Sequence, residues 1–250
     1  MAVKNFLQKQ RKRPVKISVI IPTLNEEKYL ETTLFHIALQ KPHEIIIGDS
    51  RSADKTTEIA KKYGCKVVSC SAGAASIGRN AAGRAAKGDV LLFIDADTIV
   101  FPNLLDIVDK DFRNRETAGW TCNIYAFSPK WKEHLIYNAS NNLVEFLIKY
   151  AKKPHAPGIV IATSKGAFEK VGGFDENLKV MEDHDFAMKV GKIGNFIFSK
   201  ETCVYTSTRR MNKWGGWGLF KRYSKIYLTY FMNKKKFYDN IDNVEYRPIR

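Results

Sequence analysis

This chain of 250 residues has no run of 18 consecutive apolar residues, the least that a membrane-spanning helix requires. The nearest stretch, residues 134–149, is interrupted by Asn138, Asn141, Asn142 and Glu145 and reads as an amphipathic helix. The basic N-terminal residues contain no apolar core, so no secretory signal is expected. Cysteine is scarce: Cys65, Cys70, Cys122 and Cys203 form no Cys-x-x-Cys pair, and their number does not imply a disulfide framework. A reducing cytoplasm fits that usage best. Asn138-Ala-Ser140 matches a glycosylation sequon, which carries no information in a cytoplasmic protein. There is no internal repeat and no low-complexity linker.

Acid is scarce at both ends. The net charge is +15, but residues 1–16 contribute +6 with no Asp or Glu, and residues 205–250 contribute +8. The remainder is close to neutral, with 24 bases against 23 acids. Nucleic acid as main ligand would need a basic stripe over the fold itself, so this distribution argues against it. Residues 1–15, with Lys9-Gln-Arg-Lys-Arg13, read as a disordered basic arm. Residues 211–250 form a basic appendage rich in aromatics, among them Trp214, Trp217, Tyr223, Tyr227 and Phe231. Two readings of it stand. An interfacial helix would bury these rings at headgroup level and offer cations to anionic lipids. A packing helix would lay them on the main domain and leave a solvated basic face.

Against these absences stands Val90-Leu-Leu-Phe-Ile-Asp-Ala-Asp97, an apolar run that delivers two aspartates to its end. Such a run reads as a parallel-sheet strand buried on both faces, and ligands of open α/β sheets collect at the carboxyl ends of strands. Asp95 and Asp97 repel each other unless a cation or a donor-rich ligand offsets them. Mg²⁺ or Mn²⁺ suits such an oxygen-only site, completed by substrate phosphates. The plainer alternative makes Asp97 the cap of a helix beginning near Pro102.

Strand and helix alternate around this run. Ile17-Ser-Val-Ile-Ile-Pro-Thr reads as a strand stopped at Pro22, followed by a helix over about residues 26–39. Glu44-Ile-Ile-Ile-Gly-Asp49 repeats the plan, with Ser52 or Asp54 capping the next helix. Residues 66–69 form a third strand, and residues 73–87 a helix of small residues lying close on the sheet. The expected architecture is α/β, with a mostly parallel central sheet, helices on both faces and a C-terminal helical segment. Asp49, Asp95 and Asp97 then share one sheet edge.

Pro22-Thr-Leu-Asn-Glu-Glu, Asp49-Ser-Arg-Ser-Ala-Asp, Gly78-Arg-Asn-Ala-Ala-Gly, Phe93-Ile-Asp-Ala-Asp, Gly172-Gly-Phe-Asp-Glu and Glu182-Asp-His-Asp resemble, in order, the motif set of family 2 glycosyltransferases with the GT-A fold. The resemblance covers about residues 16–210, divided into a nucleotide-binding half, 16–98, and an acceptor-side half, 99–210. It implies a nucleotide-sugar donor, a divalent Mn or Mg cation on its diphosphate, and transfer with inversion. By the same resemblance Pro22, Thr23 and Glu26 line the nucleoside pocket, Asp49 accepts from the base, and Arg79 sits near the nucleotide. Asp95 contacts ribose or a metal water, and Asp97 binds the metal. Plainer roles exist: Pro22 and Thr23 as strand terminators, Glu26 as a first-turn helix acid.

Inverting transfer to a hydroxyl needs a general base opposite the leaving group. The resemblance points to Asp183, with Glu182 as its neighbour; the alternative is that these acids merely open a helix over residues 186–192. His184 stands where the family more often carries an aromatic, and is a second candidate metal ligand. Arg209-Arg210, after a short strand at residues 203–206, suits diphosphate oxygens, which guanidinium groups grip bidentately, or is solvated surface charge. Trp214-Gly-Gly-Trp217 is either a sugar-stacking loop or the start of the last helix. The function expected is transfer of a sugar to a hydroxyl on a lipid-linked glycan, lipid or other saccharide, at the cytoplasmic face of the cell membrane. Alternatives are a polyprenyl-phosphate sugar synthase, a soluble enzyme acting on a small metabolite, and a nucleotide-sugar-binding protein without turnover.

Overall fold

The computed structural model describes residues 13–215 and Lys221. Residues 1–12 of the expected basic arm and nearly all of the appendage beyond Gly215 lie outside the described residues.

Four parallel strands form as the apolar runs predict: β1 (Ile17–Thr23), β2 (Glu44–Asp49), β3 (Lys66–Ser69) and β4 (Val90–Ile94). They are linked by helices α1 (Leu30–Ala38), α2 (Thr56–Lys62) and α3 (Ala75–Ala85). Strand β1 does not stop at Pro22. Pro22 lies opposite Gly48, and the next residue, Thr23, still pairs with Asp49 and accepts from the Ser50 N–H at 2.9 Å. Helix α1 begins four residues later than its periodicity suggests, after a loop whose backbone N–H groups bond side chains of residues 52–56. Asn25 (φ 55°) donates to Ser52 Oγ, Glu26 to Thr56 Oγ1 and Glu27 to Asp54 Oδ2. Asp54 also accepts from the Thr56 N–H at 3.0 Å, one residue ahead of Lys55, which holds the capping position of α2 without a side-chain bond. The small residues of α3 permit its close approach: a Cβ on Gly48 would lie 2.2 Å from the Gly78 carbonyl oxygen.

The second half adds β5 (Thr98–Val100), α4 (Leu104–Phe112), β6 (Thr117–Phe127) and α5 (Trp131–Lys149). Then follow β7 (Val160–Ser164), α6 (Lys165–Val171), α7 (Glu182–Val190), β8 (Asn195–Ser207) and α8 (Arg209–Trp214). All eight strands join one sheet in the order β3-β2-β1-β4-β7-β6-β8-β5. Here the sheet turns mixed, with β7 antiparallel to β4 and β6, and β5 antiparallel to β8. Asp97 caps no helix, since β5 follows it directly. Strand β8 spans 13 residues rather than four; its polar middle, Lys200-Glu-Thr202, falls at a register irregularity against β6 and hides the continuity.

Alternate residues feed two cores. On one face Val19, Ile21, Leu92 and Trp120 meet Leu34, Ile37 and Val108 of α1 and α4. On the other, Ile20, Leu91 and Phe93 meet Ala82, Phe168 and Phe186 of α3, α6 and α7. Each fully buried large side chain contributes about 1.5–3 kcal/mol. The second core ends in a ring cluster in which Phe174 stacks on Phe186 at 4.0 Å, and this fixes α7.

Candidate active site

The carboxyl ends of β1, β2 and β4 bring Thr23, Asp49, Asp95 and Asp97 to one edge. Asp49 is buried and already oriented: Oδ1 accepts from Thr23 Oγ1 at 3.0 Å and Ser52 Oγ at 2.6 Å, and Oδ2 from the Ser52 N–H at 3.0 Å. Ser52 thus holds Asp49 instead of capping α2.

Two arginines tie the acids together. Arg79, from α3, donates through Nη2 to Asp95 Oδ1 and to the Gly158 carbonyl, both at 2.9 Å, and through Nη1 to Glu182 Oε1 at 3.0 Å. Its guanidinium lies 5.4 Å from the Phe174 ring centroid. Burial opposes its charge, but Asp95, Glu182 and Asp183 outweigh that and raise its pKa. Arg209, the first residue of α8, donates to Glu26 through both Nη atoms, at 2.8 and 2.9 Å. Its Nε pairs with Asp97 Oδ2 at 3.0 Å, and its guanidinium covers the Tyr29 ring at 5.2 Å. Ser207 Oγ donates to the same Asp97 oxygen. Burial lifts the Glu26 carboxyl above its ordinary range, against the pull of Arg209. The Arg210 side chain lies outside the described residues, as does all of Trp214-Gly-Gly-Trp217 beyond Gly215 and the Trp214 backbone.

The second carboxylate pair opens α7 itself, which starts at Glu182 behind Met181 in the left-handed region (φ 66°). Asp183 Oδ2 accepts the Gly158 N–H at 2.6 Å, and Oδ1 the His184 N–H at 2.7 Å. Glu182 is pushed up to about 7, first by burial and then by Asp183, with Arg79 opposing. His184 faces another ring: its Nδ1 lies 2.5 Å from His155 Nδ1, and both are buried. One ring must donate and the other accept. Burial and His184 hold His155 down at about 4.

Among the described residues, Glu26, Asp95, Asp97, Glu182 and Asp183 gather around the guanidinium groups of Arg79 and Arg209, and such a gathering of acids suits a divalent cation. Among the described residues no three His, Cys, Asp or Glu side chains are grouped as a complete metal site. Mg²⁺ sites often use one or two carboxylates and take the rest from substrate phosphate and water, so the Asp95 and Asp97 oxygens fit a site that the substrate completes.

Several contributors escape sequence reading. Gly158 touches both Arg79 and Asp183, and a Cβ there would lie 2.8 Å from Arg79 Nη2; its one signal is a Pro157-Gly158 turn before β7. Asn80 pairs with the backbone of Phe174 in both directions, at 2.8 Å each, and so joins the Gly78-Arg-Asn and Gly172-Gly-Phe segments. Tyr29, Ser207 and His155 carried no signal.

Residues 18–172 match the sequence profile described as Glycosyl transferase family 2. The poly(ribitol-phosphate) beta-N-acetylglucosaminyltransferase TarS of Staphylococcus aureus is 33% identical over 96 residues, which cover 34% of this chain and 17% of TarS. The crystal structure of its residues 1–349 in complex with UDP-GlcNAc superposes with a TM-score of 0.64 at 22% identity, over 77% of this chain and 58% of that one. The mannosyltransferase PcManGT of Pyrobaculum calidifontis, in complex with GDP-Man and Mn²⁺, gives 0.59 at 19% identity, over 82% and 62%. Glucosyl-3-phosphoglycerate synthase of Mycobacterium tuberculosis, with Mn²⁺, UDP and glucosyl-3-phosphoglycerate, gives 0.57 at 18%, over 82% and 76%. The chain thus spans less than two thirds of TarS by either comparison, and the architecture is that of GT-A glycosyltransferases.

Proposed function

Because the chain belongs to glycosyl transferase family 2, we propose that it moves a sugar, with inversion, from a nucleotide-sugar to a hydroxyl acceptor with a divalent Mn or Mg cation. The observation that carries this reading is the link Asp95–Arg79–Glu182, which joins the acids of the β4 edge to the first turn of α7. A donor-side and an acceptor-side carboxylate cluster then lie within one arginine of each other.

In this reading Pro22 and Thr23 wall the nucleoside pocket, and Asp49, held by Thr23 and Ser52, presents a fixed acceptor to a base N–H. Arg79 holds Asp95 in place beside the nucleotide. Asp97, with Asp95, would hold the cation. A bound cation would supply charge to a leaving diphosphate, whose negative charge grows as the glycosidic bond breaks. Arg209 and Arg210 suit the same oxygens. At the other end Asp183 accepts the proton of the acceptor hydroxyl as its oxygen bonds to the anomeric carbon and the nucleoside diphosphate departs. Gly158 and the His184 N–H fix the Asp183 carboxylate for that work.

The acceptors named for TarS and for glucosyl-3-phosphoglycerate synthase are a ribitol-phosphate polymer and a phosphoglycerate. Both molecules carry hydroxyls, in keeping with a hydroxyl as the attacking group. An already ionised phosphate acceptor, as in a polyprenyl-phosphate sugar synthase, would leave Asp183 little to do. The acceptor we favour is a lipid-linked glycan or lipid at the cytoplasmic membrane face, in keeping with the basic ends of the chain.

Asp97→Asn tests the donor side. The variant keeps the shape and loses a charged ligand, so turnover should fall about 10²-fold or more and lose its dependence on Mn²⁺. Near-wild-type turnover with Mn²⁺ would overturn the assignment.

A further inference from the structure

Helix α5 is amphipathic in the inverted sense. Its polar Asn141 faces the sheet, where Oδ1 accepts the Ile124 N–H at 3.0 Å and Nδ2 donates to the Ile124 carbonyl at 2.9 Å. Val144 and Ile148 pack beside it against Phe198. The opposite face carries Trp131, Leu135, Ile136, Leu143, Phe146 and, one residue on, Tyr150, each between 42% and 73% exposed. At helical spacing these fall on one side, a stripe about 28 Å long for a 19-residue helix. Scattered exposed apolar residues need no explanation, but a contiguous stripe does.

The lysines that flank and interrupt the stripe select its occupant. Lys130, Lys132, Lys149, Lys152 and Lys153 are all exposed, and Lys132 Nζ lies over the Trp131 ring at 5.8 Å. The two acids of the helix are engaged: Glu133 is buried, and Glu145 pairs with Lys149 and Lys200, at 2.7 Å each. A second copy would bring lysine against lysine. Residues 216–250 carry eight Lys/Arg against three Asp/Glu and would meet the same repulsion. An anionic lipid surface meets none, and rings at both ends of a basic amphipathic helix suit headgroup depth. Among the described residues no helix is long and apolar enough to cross a membrane.

We infer that α5 is a membrane-docking helix that seats its apolar stripe in the interface of an anionic bilayer. Lys130 Nζ bonds Asn212 Oδ1 at 2.7 Å, so the docked end of α5 adjoins the point where the basic aromatic segment leaves α8. This inference deepens the membrane-face reading of the acceptor and is independent of the donor chemistry.

The test is flotation of the full chain with phosphatidylcholine vesicles, with and without about one-third phosphatidylglycerol. Wild type should float with the anionic vesicles at low salt. The pair Leu135→Ser and Phe146→Ser should lower that partition about tenfold or more, and Lys132→Gln with Lys153→Gln about fivefold per charge removed. All variants should melt as wild type does without vesicles and keep any Mn²⁺-dependent shift with nucleotide-sugars. Three results would each overturn the inference: no wild-type flotation at low salt, undiminished flotation of the Ser pair, or a dimer that the Ser pair dissolves. A lowered melting temperature of the Ser pair without vesicles would also overturn it, since the chain itself would then cover the stripe. Absent donor binding with intact flotation would instead count against the transferase reading alone.

Discussion

Arg209 grips Glu26 through both Nη atoms, at 2.8 and 2.9 Å, across 183 positions of sequence. That contact, with the Nε–Asp97 pair, ties the end of β8 to the loop after β1 and closes one side of the candidate donor site.

Arg209→Lys keeps the charge but cannot reproduce the fork. With Glu26 left buried and poorly paired, stability should drop by about 1–3 kcal/mol in denaturant titration. Nucleotide-sugar affinity should fall about tenfold in the same protein. Unchanged affinity would make the contact purely structural.

Asp183→Asn should leave donor affinity within a few-fold and cut transfer by about 10²–10⁴, the range of lost proton transfer. Equal loss of donor binding would assign Asp183 to the scaffold. Undiminished transfer would point to a phosphate acceptor already ionised.

The acid pair also gives a pH signature. Glu182 is raised from 4.5 to about 7, so the folded protein keeps a proton that the unfolded chain releases between those values. Its contribution to stability is complete below pH 4.5 and is lost as pH rises to 7. His155, lowered from 6.5 to about 4, acts oppositely: its contribution is complete above pH 6.5 and lost as pH falls towards 4. The two offset each other over much of that window. Glu182→Gln, a near-isostere of the protonated acid, should therefore gain on wild type as pH rises from 4.5 to 7, by up to about 3 kcal/mol. A difference between the two proteins that stays flat in denaturant titrations across that range would contradict the assignment.

The first half of the fold was legible because β1, β2 and β4 are apolar runs and β1, β2 and β3 are each followed by a short helix, so pattern and topology agree. Past Asp97 the signals weaken. β7 is a short apolar run whose antiparallel pairing the run itself does not encode, the polar middle of β8 breaks its pattern, and α5 buries its asparagine and exposes its rings, against the usual amphipathic rule. In the site, the Asp95-Ala-Asp97 pair showed itself by charge at the end of an apolar run. The roles of Arg79 and Gly158 depend on contacts with residues about 80 to 100 positions away in Arg79 and 25 in Gly158, and no local pattern encodes them.

The most direct measurement is a thermal-shift panel of uridine and guanosine nucleotide-sugars, each with Mn²⁺ and with a chelator. A ligand at a hundred times its Kd stabilises the fold by about 2.7 kcal/mol. At least one nucleotide-sugar should raise the melting temperature clearly with Mn²⁺, much less with the chelator, and not at all in Asp97→Asn. A panel in which no nucleotide-sugar shifts the wild-type protein, or in which Mn²⁺ makes no difference to the shift, would contradict a cation-assisted nucleotide-sugar site at the ends of β1, β2 and β4.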